Sequence, residues 1–180
     1  MIIDIVKLAK EAKVSLPDLI TRPVGRIMYA ATAEKLGIIA VSETVILNFA
    51  GIKVLDSSFI DEYLVKLIID SRTKDFYIKL KNISAISEIN IDSVFNSYSN
   101  YNKSRIAAAR EEIGNNSGFY IGPVAEQERD IINYLRTNSG VSIDDISKFS
   151  GVEINELKLI LDRLSFLRLV KRYNGEFTAV

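Results

Sequence analysis

Residues 45–64 read VILNFAGIKVLDSSFIDEYL. The segment opens on a β-branched apolar run, passes a Gly-containing turn and reaches Asp56-Ser57-Ser58. From Phe59 onward the apolar residues Phe59, Ile60, Tyr63, Leu64, Leu67 and Ile68 recur with a helical period, and Asp61, Glu62, Lys66 and Asp70 fall on the other face. A buried strand therefore hands over to an amphipathic helix, with Asp and Ser at the point of transfer. Ser58 followed by Asp61 has the spacing of a capping box, and Asp56 or Ser57 can cap the helix instead. The alternative is that the same hydroxyls form a switch that a partner reads.

The pattern extends in both directions. MIIDIVKLA suits a first strand. TRPVGRIMYAATAEKLG reads as a helix with Thr21 as cap, Pro23 in the first turn, Gly37 at the close and Val24, Ile27, Met28, Ala31 and Leu36 toward one face. Arg22 and Arg26 near its start could supply an anion site or pair with surface acids such as Glu34. DFYIKLKNI alternates as a strand, with Phe76, Ile78 and Leu80 set against Tyr77, Lys79 and Lys81. SAISEINIDSVFNSY is a further helix, and NKSRIAAAREEIG is rich in helix formers up to Gly114. NNSG, residues 115–118, is the linker. Strands alternating with helices predict an α/β layer domain over 1–113, with 101–113 as its last or connecting helix.

After the linker the composition changes. Ile131, Ile132 and Leu135 mark one helix. SIDDISKFSG is a second, with Ser142 as cap, Asp145 three residues on and Gly151 at the turn. EINELKLILDRL is a third. LVKRY and EFTAV flank Asn174-Gly175, the dipeptide suited to a two-residue type I′ hairpin because both positions require positive φ. A second small domain over 122–180 is predicted.

Composition narrows the chemistry. The chain has 180 residues, 48% of them hydrophobic, with 23 basic and 23 acidic side chains. Zero net charge provides no overall attraction to nucleic acid or to an anionic membrane. The sequence contains no cysteine and no histidine. Thiol chemistry, His-dependent triads and most zinc sites are thereby excluded. No dinucleotide or phosphate-binding glycine motif and no metal-ligand cluster is present, so no cofactor and no enzymatic activity are expected. No apolar run approaches the roughly 20 residues that span a bilayer, and the N-terminus lacks signal-peptide features. A cytoplasmic protein without membrane contact is the expectation.

Two resemblances organise these elements. The strand-turn-helix carrying Asp56, Ser57 and Ser58 resembles that of STAS domains, the fold of bacterial anti-sigma-factor antagonists. It is closer still to the sister STAS-like family, through TRPVGR (21–26) and SFIDEYL (58–64). The resemblance covers about residues 1–100. It implies that Ser58 would accept a phosphate from a kinase-like regulatory partner, although Phe59 stands where regulatory members usually carry glycine. ERDIINYLRTN, SIDDISKFSGVEINELKLILDRL and FLRLVKRYNGEFTAV resemble the first helix, the helix-turn-helix and the wing of a winged helix-turn-helix domain. That resemblance implies contact with double-stranded DNA through Asn155, Lys158 and Arg163 of the third helix and Lys171 and Arg172 of the wing, in a homodimer if two half-sites are read. Against it stands the charge of residues 122–180, eight Lys/Arg and nine Asp/Glu, since DNA-binding modules gain affinity by neutralising phosphates. The expectation is a transcription regulator with a protein-binding receiver and a DNA-binding output. The alternative is an adaptor whose two domains both bind proteins.

Overall fold

The computed structural model describes residues 1–111 and 119–180. The architecture is mixed α/β, and the chain divides into two compact units, Met1–Pro123 and Val124–Val180.

In the first unit, β1 (Ile2–Asp4), β3 (Thr44–Asn48), β5 (Tyr77–Lys81) and β6 (Ala108–Arg110) run parallel, and β7 (Tyr120–Ile121) closes the edge antiparallel to β6. The spatial order β1-β3-β5-β6-β7 advances in one direction. Right-handed crossovers taken in one direction bring every connecting helix to the same face of a sheet. On one face Ile3, Val45, Leu47, Ile78 and Leu80 are buried; on the other Ile2 is exposed and Ile46 and Lys79 are half-buried, while Tyr77 and Ala109 are buried as well. A two-stranded parallel pair, β2 (Asp18–Leu19) with β4 (Val54–Leu55), lies outside the main sheet.

The connections are α1 (Ile5–Glu11), α2 (Arg22–Leu36), a helix over 57–73 and α5 (Ala85–Asn102). The 57–73 helix has three segments: α3 (Ser57–Ile60), a π-helical stretch (Asp61–Val65) and α4 (Lys66–Thr73). Its six periodic apolar residues are all buried, as the spacing predicts. Glu62 departs from the pattern. It is only 8% exposed, because α2 crosses the helix at that point and brings basic side chains to it.

Three further local expectations are corrected. The first strand is only three residues long, because the Asp4 carboxylate accepts the Lys7 N–H at 2.8 Å and starts α1. Thr21 stands at the N-cap of α2 with φ of 75°, but its side chain makes no capping hydrogen bond; Gly37 does close the helix as its C-cap, with a helical φ of −59°. The helix expected over 101–113 does not form. α5 ends at Asn102 with Lys103 left-handed, and Ala108–Arg110 become strand β6. Alanine favours helices only as an isolated propensity. Here residues 106–109 are buried beside β5, and the Glu111 N–H donates to Leu80 O at 2.7 Å. Sheet pairing and burial outweigh a few tenths of a kcal/mol per residue. Residues 112–114 of that expected helix, and the NNSG linker, lie outside the described residues.

The second unit contains α6 (Glu126–Thr137), α7 (Ile143–Ser150) and α8 (Ile154–Phe166), with β8 (Val141–Ser142), β9 (Val170–Tyr173) and β10 (Glu176–Ala179) in an antiparallel sheet of order β8-β10-β9. Ser142 caps α7 by accepting the Asp145 N–H at 3.2 Å. Gly151 turns the chain left-handed with φ of 69°. Asn174 and Gly175 both have positive φ, 51° and 84°, at the tight β9–β10 turn. Ile131, Leu135, Ile146, Leu157, Ile160, Leu161, Leu164, Val170 and Phe177 form the buried interior of this unit.

Candidate functional site

The Asp56-Ser57-Ser58 corner is built by two helix starts that share one carboxylate. Asp56 is the N-cap of α3. One oxygen accepts the Phe59 N–H at 2.7 Å, and the other accepts the Thr21 N–H, just ahead of α2, at 3.0 Å. A single side chain thus satisfies amide donors at two helix entrances that would otherwise lack partners. Of the alternatives the sequence leaves open, the cap is Asp56. Ser57 is exposed and Ser58 half-buried, and neither hydroxyl has a hydrogen-bond partner among the described residues.

Next to this cap, α2 and the π-helical stretch approach closely. A Cβ on Gly25 would lie 2.7 Å from the Glu62 Cβ and 3.1 Å from the Phe59 carbonyl oxygen. Only glycine fits there. The approach places the Glu62 carboxylate among three cations. Lys66 Nζ donates at 2.5 Å, Arg22 at 3.2 Å and Arg26 at 3.3 Å. The hydrogen bond from Lys66, joined by that from Arg22, holds the Glu62 carboxyl below the usual carboxylate range against the opposing effect of burial. Arg22 also reaches Asp61 at 2.5 Å, which raises its already high pKa. Deeper in the same helix, Tyr63 is fully buried with its hydroxyl 3.0 Å from Thr32 Oγ1. Burial pushes the Tyr63 phenol up, so it stays neutral.

An open cleft of about 400 Å³ borders this corner. Arg22, Ser57, Ser58 and Asp61 line one side, and Ser97 and Tyr98 of α5 line the other. The cleft offers hydroxyl donors and acceptors and one Arg–Asp pair. Among the described residues no group of acids could hold a metal ion. Hydroxyls and an Arg–Asp pair are groups that can recognise a polar partner.

The spacing of the interlocking residues was visible in the sequence, Arg22 to Arg26 and Glu62 to Lys66 both being i,i+4. What sequence reasoning missed was that Gly25 inside a helix marks a close helix crossing, and that Glu62 faces it. Arg22 and Arg26 pair with Asp61 and Glu62, not with Glu34.

The residues singled out for DNA lie on α8 and β9. Asn155 and Lys158 are exposed on α8. Arg163 is half-exposed and directs Nε to Glu128 at 3.4 Å; Glu128 is itself 2% exposed. Lys171 is half-buried on β9, and the Arg172 guanidinium lies 5.6 Å from the centre of the Phe177 ring. The α8 surface that carries them also exposes Glu156, Asp162, Leu159 and Phe166. On α8 the acidic Glu156 and Asp162 are thus interspersed with Lys158 and Arg163.

Among the described residues no helix is long and apolar enough to cross a membrane. Comparison with protein-family models, with curated proteins and with solved structures finds no match.

Proposed function

We propose that this protein is a non-enzymatic regulatory adaptor: a STAS-like unit receives a protein partner at the Ser57–Ser58 corner, and a winged-helix-like unit relays the signal through protein contacts. The observation that carries this reading is the cleft beside Ser57 and Ser58, where unpartnered hydroxyls stand on a corner held rigid by Asp56 and by the Glu62 ion cluster. Partner recognition is favoured over catalysis because the sequence has neither histidine nor cysteine. The partner class implied by the STAS resemblance is a kinase-like regulatory protein, with Ser58 as its phosphate acceptor.

A second reading, output through DNA, rests on the exposed Lys158 and Arg172. It is less favoured because Glu156 and Asp162 share the α8 surface, and like charge opposes phosphate. Two measurements test the pair of readings. Incubation with native-cell extract and ATP should label Ser58 or Ser57, and labelling confined to other residues would overturn the receiver assignment. Gel-shift titration with duplex DNA at low salt should give no retardation at micromolar protein. Salt-sensitive retardation lost on Lys158→Glu would transfer the output to DNA.

A further inference from the structure

The groove between α6 and α7 carries groups that neither reading of the output uses. Gln127, Asp130, Tyr134 and Thr137 recur along α6 at three- and four-residue spacing, so they share one stripe of that helix. Phe149, in the last turn of α7, lies against the stripe. Its ring stacks on that of Tyr134, with centroids 4.0 Å apart and planes 13° from parallel. Phe149 is nevertheless 52% exposed, so the ring face turned away from Tyr134 is open to solvent. An open groove of about 430 Å³ runs along the two helices, with Gln127, Asp130, Asn133, Tyr134 and Phe149 in its lining.

The charge and shape of this lining select one chemistry. Asp130 is the one charged residue in it, and among the described residues its carboxylate has no ion-pair or hydrogen-bond partner. The side-chain amides of Gln127 and Asn133 are unpartnered in the same sense. The open face of the Phe149 ring carries the negative side of the ring quadrupole. Negative potential, hydrogen-bond acceptors and a flat apolar surface therefore occur together. A guanidinium matches all three, because it is a cation, carries five N–H donors and is planar enough to stack on an aromatic face. An ammonium meets the charge but not the plane, and a nucleic-acid phosphate is opposed by Asp130. Free small molecules are held in pockets that bury most of their surface. Here Gln127, Asp130, Asn133 and Phe149 are all exposed, so the guanidinium comes attached to a larger partner that supplies the rest of the contact.

We propose that the α6–α7 groove binds an arginine side chain of a partner protein, with the guanidinium stacked on the open face of Phe149 and paired with the Asp130 carboxylate. This names what the second unit recognises and rests on the reading that its output is a protein contact. One arginine makes a weak contact by itself, so a short peptide carrying it binds in the millimolar range.

NMR titration of the full, isotope-labelled chain with an end-blocked glycine-arginine-glycine peptide tests the proposal. Amide shifts should move along α6 and the end of α7 and saturate at millimolar peptide. Asp130→Asn and Phe149→Ala should each weaken binding by about threefold. Both positions are exposed, so circular dichroism should show an unchanged fold. The citrulline peptide keeps the plane and loses the charge, and it should cause no saturable shift. Absence of α6–α7 shifts with the arginine peptide would overturn the proposal. So would equal binding of the citrulline peptide, binding unaffected by both substitutions, or the same shifts produced by duplex DNA. Gel shift with Lys158→Glu reads α8 rather than this groove, so failure of arginine binding can be told apart from failure of the protein-contact output.

Discussion

Glu62 shows how one acidic residue can sit in a protein interior. Lys66, Arg22 and Arg26 surround its carboxylate, and Gly25 leaves the room it needs. Its folded-state pKa is lowered, chiefly by the Lys66 hydrogen bond. The stabilisation this gives is complete above the ordinary glutamate value of about 4.3 and is lost as pH falls through the lower folded-state value. Urea unfolding of the wild type and of Glu62→Gln should therefore differ most at neutral pH, with the substituted protein the weaker. The gap should narrow as the solution is acidified below the usual carboxylate range. A gap independent of pH would show that the ion cluster is not what Glu62 contributes.

At the scale of elements, Asp56 joins two helices. Removing its carboxylate leaves the Phe59 and Thr21 N–H groups without their partner at once. Asp56→Ala should cost about 2 kcal/mol in urea unfolding, the upper end for loss of a helix cap. Ser57→Ala and Ser58→Ala should stay within about 0.5 kcal/mol, as surface substitutions do. Equal losses at all three positions would contradict the assignment of Asp56 as the cap and of the serines as free. The sequence made the elements themselves largely legible, because apolar period is a strong signal. The buried stripe from Phe59 to Ile68 could be read directly, as could the Asn174-Gly175 turn with its two positive φ values. The strand at Ala108–Arg110 could not, because two alanines and an arginine carry no period and their local preference points to a helix. The buried position of Glu62 was hidden for a related reason: it depends on a neighbour forty residues away in sequence, Arg22. At the candidate site, the residue types at 56–58 were visible, but the division of labour among them was set by a hydrogen bond to Thr21 that no local pattern encodes.

At the scale of the molecule, each unit has its own buried interior. The apolar cluster of the first ends at Ile121, and that of the second is drawn from α6, α7, α8 and the β9–β10 ribbon. Truncating a buried isoleucine to alanine removes about 2–5 kcal/mol. In Ile160→Ala, hydrogen exchange should therefore speed up for amides within 124–180 and stay unchanged for amides within 1–111. Loss of protection spread evenly over both would mean that the units share one cooperative core. The strand order of the first unit also has a consequence during biosynthesis. Its sheet is laid down from one edge to the other as the chain grows, and the last strand, Tyr120–Ile121, arrives only after all the parallel strands. A nascent chain on the ribosome must expose that final segment before the sheet can be completed, and its long-range parallel pairings are slow to form. Until then β6 has an open edge able to pair with other nascent chains, and the emergence of residue 121 brings the strand that covers it.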